Sequence, residues 1–516
     1  MIPLYSYEQS RIYDQLAINE LHIPSICLME NAARSIERHI ENAHLLDGSD
    51  NYIISILAGK GNNAGDGFAL ARLLLKFNIK IYIFLLFEEK EIKSDALINY
   101  KIIKKIAQNN SNLIIKHLSN QEDLSILKNS DLIIDAIFGT GFSGNLPEHI
   151  CNVISYVNSI NTIKLSIDVP TGLNGSDQIS YLANYTISLG VLKRNLFYGK
   201  GYEISGNVLL GEIGTPYDLS YRLQTNTFLI EKNDIKKFIP RKNKASHKYQ
   251  NGKVLIIAGS KDYTGAPQLV AQAAIKSGAG AVYLAFPEQF RHLISSELIE
   301  PVIINYNSPE GYFNSKAIEA LIDIIEKVDV IAIGPGISKN HTTLDAVIQL
   351  FKKYPVKLFV VDADAIIALK ILINEQYKLN NFIITPHQKE FADLIGISVD
   401  NLNKNLLEIC QNFVYTTKAY LVLKSGRTII FTPDDKIYIN PTGNVGMAKF
   451  GTGDVLTGII SSFISQSKFI ESSLISSVYL HSLSADLLQN EKTEYSYTAT
   501  DIIENFPQAI KNIIEN

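Results

Sequence analysis

The stretch Tyr52-Ile53-Ile54-Ser55-Ile56-Leu57-Ala58-Gly59-Lys60-Gly61-Asn62-Asn63-Ala64-Gly65-Asp66-Gly67 is an apolar run that ends abruptly in glycine. Its first seven residues have the length and near-continuous apolar character of a strand buried on both faces. Gly59, Gly61, Gly65 and Gly67 let the backbone turn sharply and approach a ligand, and the pattern over 66–78 reads as the helix that follows. Such a helix start offers free N–H groups to a phosphate. A tight turn with no ligand would also use these glycines. Asn62, Asn63 and Asp66 add side chains that could read a ribose or hold a cation.

The same alternation extends outward. Apolar runs at 79–86, 131–138 and 163–168 read as strands, and amphipathic patterns at 94–109 and 149–159 as the helices between them. A helical entry with Ile26, Leu28, Met29, Ala32 and Ile36 on one side precedes the first strand. The rhythm weakens after Pro216, and the basic segment from Lys236 to Lys248 reads as a solvated linker, not a binding patch. A second series then begins, with strands at 253–258, 281–286, 328–333, 357–361, 382–384 and 420–423 and helices at 265–278, 340–352, 400–414 and from about 453. The reading is α/β throughout, as two consecutive three-layer domains over residues 1–225 and 228–516.

Of the 516 residues, 48 are basic and 52 acidic, so the net charge of -4 gives no electrostatic drive toward nucleic acid or an anionic membrane. Nucleotide binding would have to use local devices. Cys27, Cys151 and Cys410 have neither disulfide-framework nor zinc spacing. The strongest apolar run, Ile79 to Phe87, is far short of the roughly 20 residues of a membrane span. With no recognisable signal peptide, the expected compartment is the cytoplasm.

Three further segments carry chemistry. Asp135 stands inside an apolar strand ahead of Gly139-Thr140-Gly141, and Asp168 does the same ahead of Pro170-Thr171-Gly172. A carboxylate in a buried strand is costly unless paired, hydrogen-bonded or bound to a cation; either could instead cap a turn. Loops at the carboxyl ends of parallel strands converge on one crevice, which favours a ligand site. In the second half, Gly451-Thr452-Gly453-Asp454 enters an apolar helix. Its successive N–H groups would form an anion hole, and Asp454 could accept the proton of an attacking hydroxyl. A glycine turn with Asp favoured by the helix dipole is the plain alternative. Glu390, after Thr385-Pro386-His387, is placed to orient magnesium-bound water. His387 alone could be structural, but its neighbours favour a substrate contact. Lys424-Ser425-Gly426-Arg427-Thr428 reads as a strand-turn-strand suited to ribose and α-phosphate.

Over residues 1–225 the order of Leu28 to Ala33, the Gly-Asn-Asn-x-Gly-Asp-Gly loop, Asp135 with Gly139 to Gly141, Asp168 to Gly172 and the tail from Leu192-Lys193 to Gly214 resembles the NAD(P)HX epimerase domain, a Rossmann-like fold. The resemblance implies that Asn62, Asn63, Ala64, Gly65 and Asp66, with Gly139, Thr140, Gly141, Phe142, Ser143, Gly144 and Asn145, contact the hydrated dinucleotide. It implies potassium held by Asn63, Asp135 and Thr171, a hard oxygen set. Asp168 becomes the substrate-contacting acid/base for inverting C6 of the hydrated ring. Ala64 stands where glycine is usual, and its Cβ requires a negative φ; Asn174 stands where aspartate is common.

Residues 228–516 resemble the ribokinase-like superfamily, most closely its ADP/ATP-dependent NAD(P)HX dehydratase branch. That implies Ala266, Gly336, His387 and Asp454 at the hydrated dinucleotide, Lys424, Ser425, Gly426, Arg427, Thr428 and Gly453 at the adenine nucleotide, and Asp454 as base. The implied reaction phosphorylates the C6 hydroxyl with ADP or ATP and Mg2+, then eliminates phosphate. The single-chain fusion resembles bacterial members, which implies ADP. Gln388-Lys389 replace a common Pro-Gly, and Lys449-Phe450 replace small residues. Lys449 is expected to be able to neutralise phosphate, and Phe450 to crowd the nucleotide or pack beneath the loop.

The expected partners are therefore small molecules, NAD(P)HX and an adenine nucleotide, with no nucleic acid and no membrane; a homo-oligomer is left open. Two other readings compete. In one the second half is a true small-molecule kinase; in the other the first half is only a dinucleotide-binding module.

Overall fold

The computed structural model describes residues 1–46, 52–118, 121–175, 179–241, 251–294, 296 and 298–515. It divides into two compact units, residues 3–225 and residues 1–2 with 226–516. Met1 and Ile2 thus belong with the second unit and not with the first 225 residues. The Met1 ammonium lies 2.7 Å from Glu231 and 2.5 Å from Asp234. The basic segment expected as a linker starts inside a helix, Lys232–Phe238; its part from 242 to 248 lies outside the described residues.

The unit of residues 3–225 is built on a seven-stranded parallel sheet. Its spatial order is Leu113–His117, Lys80–Leu85, Ile53–Ala58, Leu132–Ala136, Ile163–Ile167, Tyr185–Leu189 and Asn207–Gly211. The chain starts at Ile53–Ala58, winds to one edge, returns to Leu132–Ala136 beside the start and winds to the other edge. The order reverses between these two central strands, which is where an open α/β sheet opens a crevice at its carboxyl ends. Alternate side chains feed two cores. Ile54, Ile56 and Ala58 pack with helices Ser25–Asn42, Asn62–Leu74 and Ser94–Ala107, and Leu57 and Ile133 with helix Glu148–Ser159. Each fully buried Ile or Leu contributes roughly 1.5–3 kcal/mol.

Helix Asn62–Leu74 begins four residues before its expected start at 66. Its glycines serve packing. A Cβ on Gly65 would stand 2.7 Å from Met29 Sδ, and one on Gly67 2.8 Å from the Ala136 Cβ. Ala64 is an ordinary helical residue, buried in the core and absent from the positive-φ positions.

In the second unit, parallel strands run from Val302–Tyr306 through Ala281–Pro287, Lys253–Ile257, Val330–Ile333, Leu358–Val361 and Phe382–Ile384 to Tyr420–Leu423. An antiparallel hairpin, Ile429–Phe431 and Ile437–Ile439, extends the sheet from Tyr420–Leu423. Helix Thr452–Ser467 crosses the sheet against helix Gly265–Lys276, so close that a Cβ on Gly458 would stand 2.4 Å from the Val270 carbonyl oxygen. Helix Ile470–Leu488 carries buried serines whose hydroxyls bond back to the preceding turn, Ser482 to Val478 and Ser484 to Leu480. Among the described residues no helix is long and apolar enough to cross a membrane.

Candidate functional site

The first unit holds a cleft of about 590 Å³ at the reversal point. Asn62, Asn63 and Asp66 line it from helix Asn62–Leu74, Gly139, Thr140, Gly141 and Phe142 from beyond strand Leu132–Ala136, and Asp168 from the end of strand Ile163–Ile167. Ala64 and Gly65 are packed on the buried side of their helix, and Ser143, Gly144 and Asn145 do not line the cleft; Gly144 pairs with Gly175.

Asp168 has φ 68°, a left-handed conformation that a non-glycine residue holds only when its surroundings impose it. Those surroundings are explicit. Its Oδ1 accepts from Lys193 Nζ at 2.6 Å and its Oδ2 from the Thr140 N–H at 3.2 Å. Lys193 is 1% exposed and also donates to the Leu189 carbonyl. Asp66, 7% exposed, has no hydrogen-bond or ion partner among the described residues. Burial, and then repulsion from Asp168 and Asp14, push its carboxyl well above the usual range, against the pull of Lys193. On the rim, Asp14 is pushed up to about 6 chiefly by the protein packed around it; Lys193 opposes this and Asp168 adds to it.

Behind the cleft, Asp135 is wholly buried. It accepts from the Thr171 hydroxyl at 2.7 Å, the Thr171 N–H at 2.8 Å, Ser166 at 3.1 Å and the Ile137 N–H at 3.1 Å. Burial outweighs these bonds and holds its carboxyl up at about 6. Asp135 has no ion pair among the described residues, and Asn63, whose amide lies against Gly139, buries an amide nitrogen with no partner among them. Since the oxygen and nitrogen of an amide are interchangeable on rotation, the set can present amide, hydroxyl and carboxylate oxygens to one cation.

Two elements of the cleft escaped the sequence reading. Helix Tyr7–Gln15 supplies Ser10, Arg11 and Asp14, and its signal was the Ser6/Gln9 capping box. Lys193 had no local signal beyond its place in a matching tail.

The second unit gathers a different cluster. Gly451, at φ 91°, caps helix Thr452–Ser467, and Asp454 lies in its first turn. Lys424 Nζ is 2.6 Å from Asp362 Oδ1, whose Oδ2 accepts from Thr457 at 2.9 Å. Burial, then repulsion from Asp362, raise Asp454 to about 7, with Lys424 opposing. His481 sits behind the same turn, lowered to about 4 by burial. Asp362 and His481 were missed, although Asp362 ends an apolar strand just as Asp168 does.

The other expected residues fall on the surrounding loops. A Cβ on Gly336 would be 3.3 Å from that of Ala266 and 2.7 Å from that of Tyr263, which brings these two loops together. His387 caps helix Gln388–Ile395: its Nδ1 accepts from the Glu390 N–H at 3.1 Å, and Glu390 accepts from the His387 N–H at 2.9 Å. The Lys424 N–H donates to the Pro386 carbonyl at 2.8 Å, so these loops are adjacent too. Ser425 to Thr428 form the turn of the expected hairpin.

Two expectations are corrected. The Lys449 ammonium is occupied by the Glu494, Tyr495 and Tyr497 carbonyls at 2.7–3.1 Å and is not directed to a phosphate. Phe450 is fully exposed and does not pack beneath the loop, so of its two expected roles only crowding of the nucleotide is left.

Residues 25–195 match the family described as YjeF-related protein N-terminus, and residues 254–508 the family described as NAD(P)H-hydrate dehydratase. A bifunctional NAD(P)H-hydrate repair enzyme of Moorella thermoacetica is 34% identical over 97% of this chain and 95% of its own length. The chain belongs to the family of bifunctional NAD(P)H-hydrate repair enzymes. A ribokinase-like superfamily protein of Enterococcus faecalis, 26% identical, covers 57% of this chain and 98% of its own, with a TM-score of 0.50. An ADP/ATP-dependent NAD(P)H-hydrate dehydratase of Bacillus subtilis, crystallised with ATP and Mg2+, is 26% identical over 56% of this chain and 100% of its own, with a TM-score of 0.48. In this bifunctional repair family two chemistries share one chain, and here the two residue clusters lie in separate compact units.

Proposed function

We propose that the first unit interconverts the C6 epimers of hydrated NAD(P)H at the Asp168–Lys193 cleft, and that the second dehydrates one epimer at the Asp454–Lys424 cluster. The observation that carries this reading is the contrast between two carboxylates. Asp168 is ion-paired to the buried Lys193 and lines a cleft of about 590 Å³. Asp454 stands in the first turn of a glycine-capped helix, within the electrostatic reach of Lys424.

In the second unit the N–H groups of Gly451 to Gly453 and the Lys424 ammonium are suited to a transferring phosphoryl group. Asp454 takes the proton of the C6 hydroxyl as that oxygen attacks the terminal phosphorus of ADP or ATP. Hydroxide is a poor leaving group and phosphate a good one, so elimination then restores the reduced nicotinamide. The hairpin turn of Ser425 to Thr428 borders the nucleotide, and Ala266, Gly336 and His387 border the hydrated ring. Among the described residues no cluster of three or more His, Cys, Asp and Glu could hold a metal. Mg2+ would arrive on the nucleotide's phosphates, with Glu390 orienting its water.

Potassium fits the first unit. The buried Asp135 carboxylate, the Thr171 hydroxyl and the Asn63 amide, whose nitrogen has no partner among the described residues, are the donors that would hold it. Bound there, it would neutralise Asp135 and fix the strand end that carries Gly139 to Phe142.

The test uses mixed epimers of hydrated NADH with the full chain, Mg2+, K+ and ADP or ATP, following reduced-nicotinamide absorbance. Full recovery is expected. Recovery that stops when one epimer is exhausted would reject the epimerase reading. A stable phosphorylated product would establish a kinase instead of a dehydratase.

A further inference from the structure

Inverting C6 requires breaking a bond to it, and the hydrated ring offers an easy one. C6 carries a hydroxyl and the ring nitrogen N1, so it is a hemiaminal carbon. Expelling hydroxide is the step the second unit avoids by phosphorylation, and the resulting cation would lose a C5 proton to give reduced nicotinamide directly. Opening C6–N1 needs no co-reactant: one base takes the hydroxyl proton and one acid protonates N1.

We propose that Asp66 is this acid, a second catalytic carboxyl that protonates N1 as the C6–N1 bond opens while Asp168 accepts the C6 hydroxyl proton. The inference rests on the reading of Asp168 given above. The C6–N1 electron pair passes to N1, and an aldehyde and an N–H result. Rotation about C5–C6 presents the other face, N1 adds back, its proton returns to Asp66, and Asp168 reprotonates the oxygen. Both carboxyls end as they began.

The two side chains line one cavity in opposite states of engagement. Asp168 is saturated with donors: Lys193, the Thr140 N–H and, at 3.4 Å, the Leu189 N–H. Asp66 is equally buried and meets no donor or cation among the described residues, the setting in which a carboxyl keeps its proton. A carboxyl without donors beside one held by a cation and two N–H groups is the arrangement that divides acid and base roles. The turn that carries Asp66 is fixed on both sides, by Gly65 against Met29 and Ala96 and by Gly67 against Ala136 and Ile56. Asp168, Asp14 and Lys193 are the charges that act on Asp66. The remaining charged side chains of the cleft are Arg11, bonded to the Thr140 carbonyl, Lys60, paired with Glu91, and Asp95.

The test follows conversion of a single pure epimer by the full chain in K+ without nucleotide, so that the dehydratase is silent. Asp66→Asn should lower epimerase kcat by about 10²–10⁴-fold with KM changed less than threefold. It should also abolish the alkaline fall of the rate profile, and Asp66→Glu should restore part of the rate. Dehydratase activity of the same variants, assayed with nucleotide on the epimer it accepts, should stay within twofold. Oxygen-18 at C6 should be retained through turnover. Near-normal kcat in Asp66→Asn, or a persisting alkaline limb, overturns the proposal, as does loss of label at the rate of epimerisation. If Asp168→Asn remains active while Asp66→Asn is dead, the reading of Asp168 fails instead.

Discussion

A Cβ placed on Gly453 would stand 3.2 Å from Lys424 Nζ, tighter than ordinary packing, and 3.8 Å from Asp362 Oδ2, so a side chain at the start of helix Thr452–Ser467 would press on the lysine of the ion pair. Lys424 and Asp362 are 62 residues apart in sequence and 2.6 Å apart in space. The lysine is held at a helix N-terminus that already favours negative charge, with Asp454 beside it.

Gly453→Ala should therefore displace Lys424 more than it disturbs the fold. The glycine has a negative φ, so the added methyl strains no backbone. A drop of at least tenfold in dehydratase kcat is expected, with epimerase activity unchanged and little change in Tm. Nucleotide titration separates the outcomes, because a loss confined to nucleotide Kd would place Lys424 at ground-state binding and not at the transferring group.

Asp454 ties rate and stability to pH in opposite directions. As a base it must be ionised, so dehydratase kcat/KM should fall as pH drops through about 7. Its folded pKa is raised above the ordinary 3.8, so the folded state binds this proton more tightly than the unfolded chain. Its stability contribution is present at low pH and is lost between about 4 and 7 as pH rises. Asp454→Asn should abolish dehydration yet raise Tm at pH 8, with the gain vanishing near pH 4. Thermal scans at the two pH values check it; an equal Tm gain at both would show that desolvated charge is not the cause.

The parts visible in sequence are those that break a local pattern. Asp135, Asp168 and Asp454 were legible because a carboxylate beside glycine in apolar surroundings needs a reason. The central strands were legible because burial on both faces leaves nearly unbroken apolar runs. Tyr185–Leu189 was not, since the buried hydroxyls of Thr186 and Ser188 interrupt its run while bonding to the Ser205 and Val191 carbonyls. Helix Asn62–Leu74 was placed four residues late because Gly65 and Gly67 read as loop, whereas close packing on Met29 and Ala136 is what they serve. Lys193 and Asp362 are long-range partners, defined by residues 25 and 62 positions away. No local pattern announces such a pair.

Lys193 is the residue on which the first unit's site should prove most sensitive. It is 1% exposed, and its ammonium bonds Asp168 and the Leu189 carbonyl, so it joins the strained strand end to the neighbouring strand. Lys193→Met keeps the bulk but leaves a buried carboxylate without its cation, a change that costs about 3–5 kcal/mol when one partner of a buried pair is removed. Epimerase activity should fall at least a hundredfold. The first unit's unfolding transition should drop, while the dehydratase assay on the same chain stays near its normal rate. Adding Asp168→Asn to Lys193→Met should recover much of the lost stability and none of the activity, because the uncompensated charge is gone and the proton acceptor with it. A double variant no more stable than Lys193→Met alone would mean that the lysine's packing, and not its pairing with Asp168, holds the strand end in place.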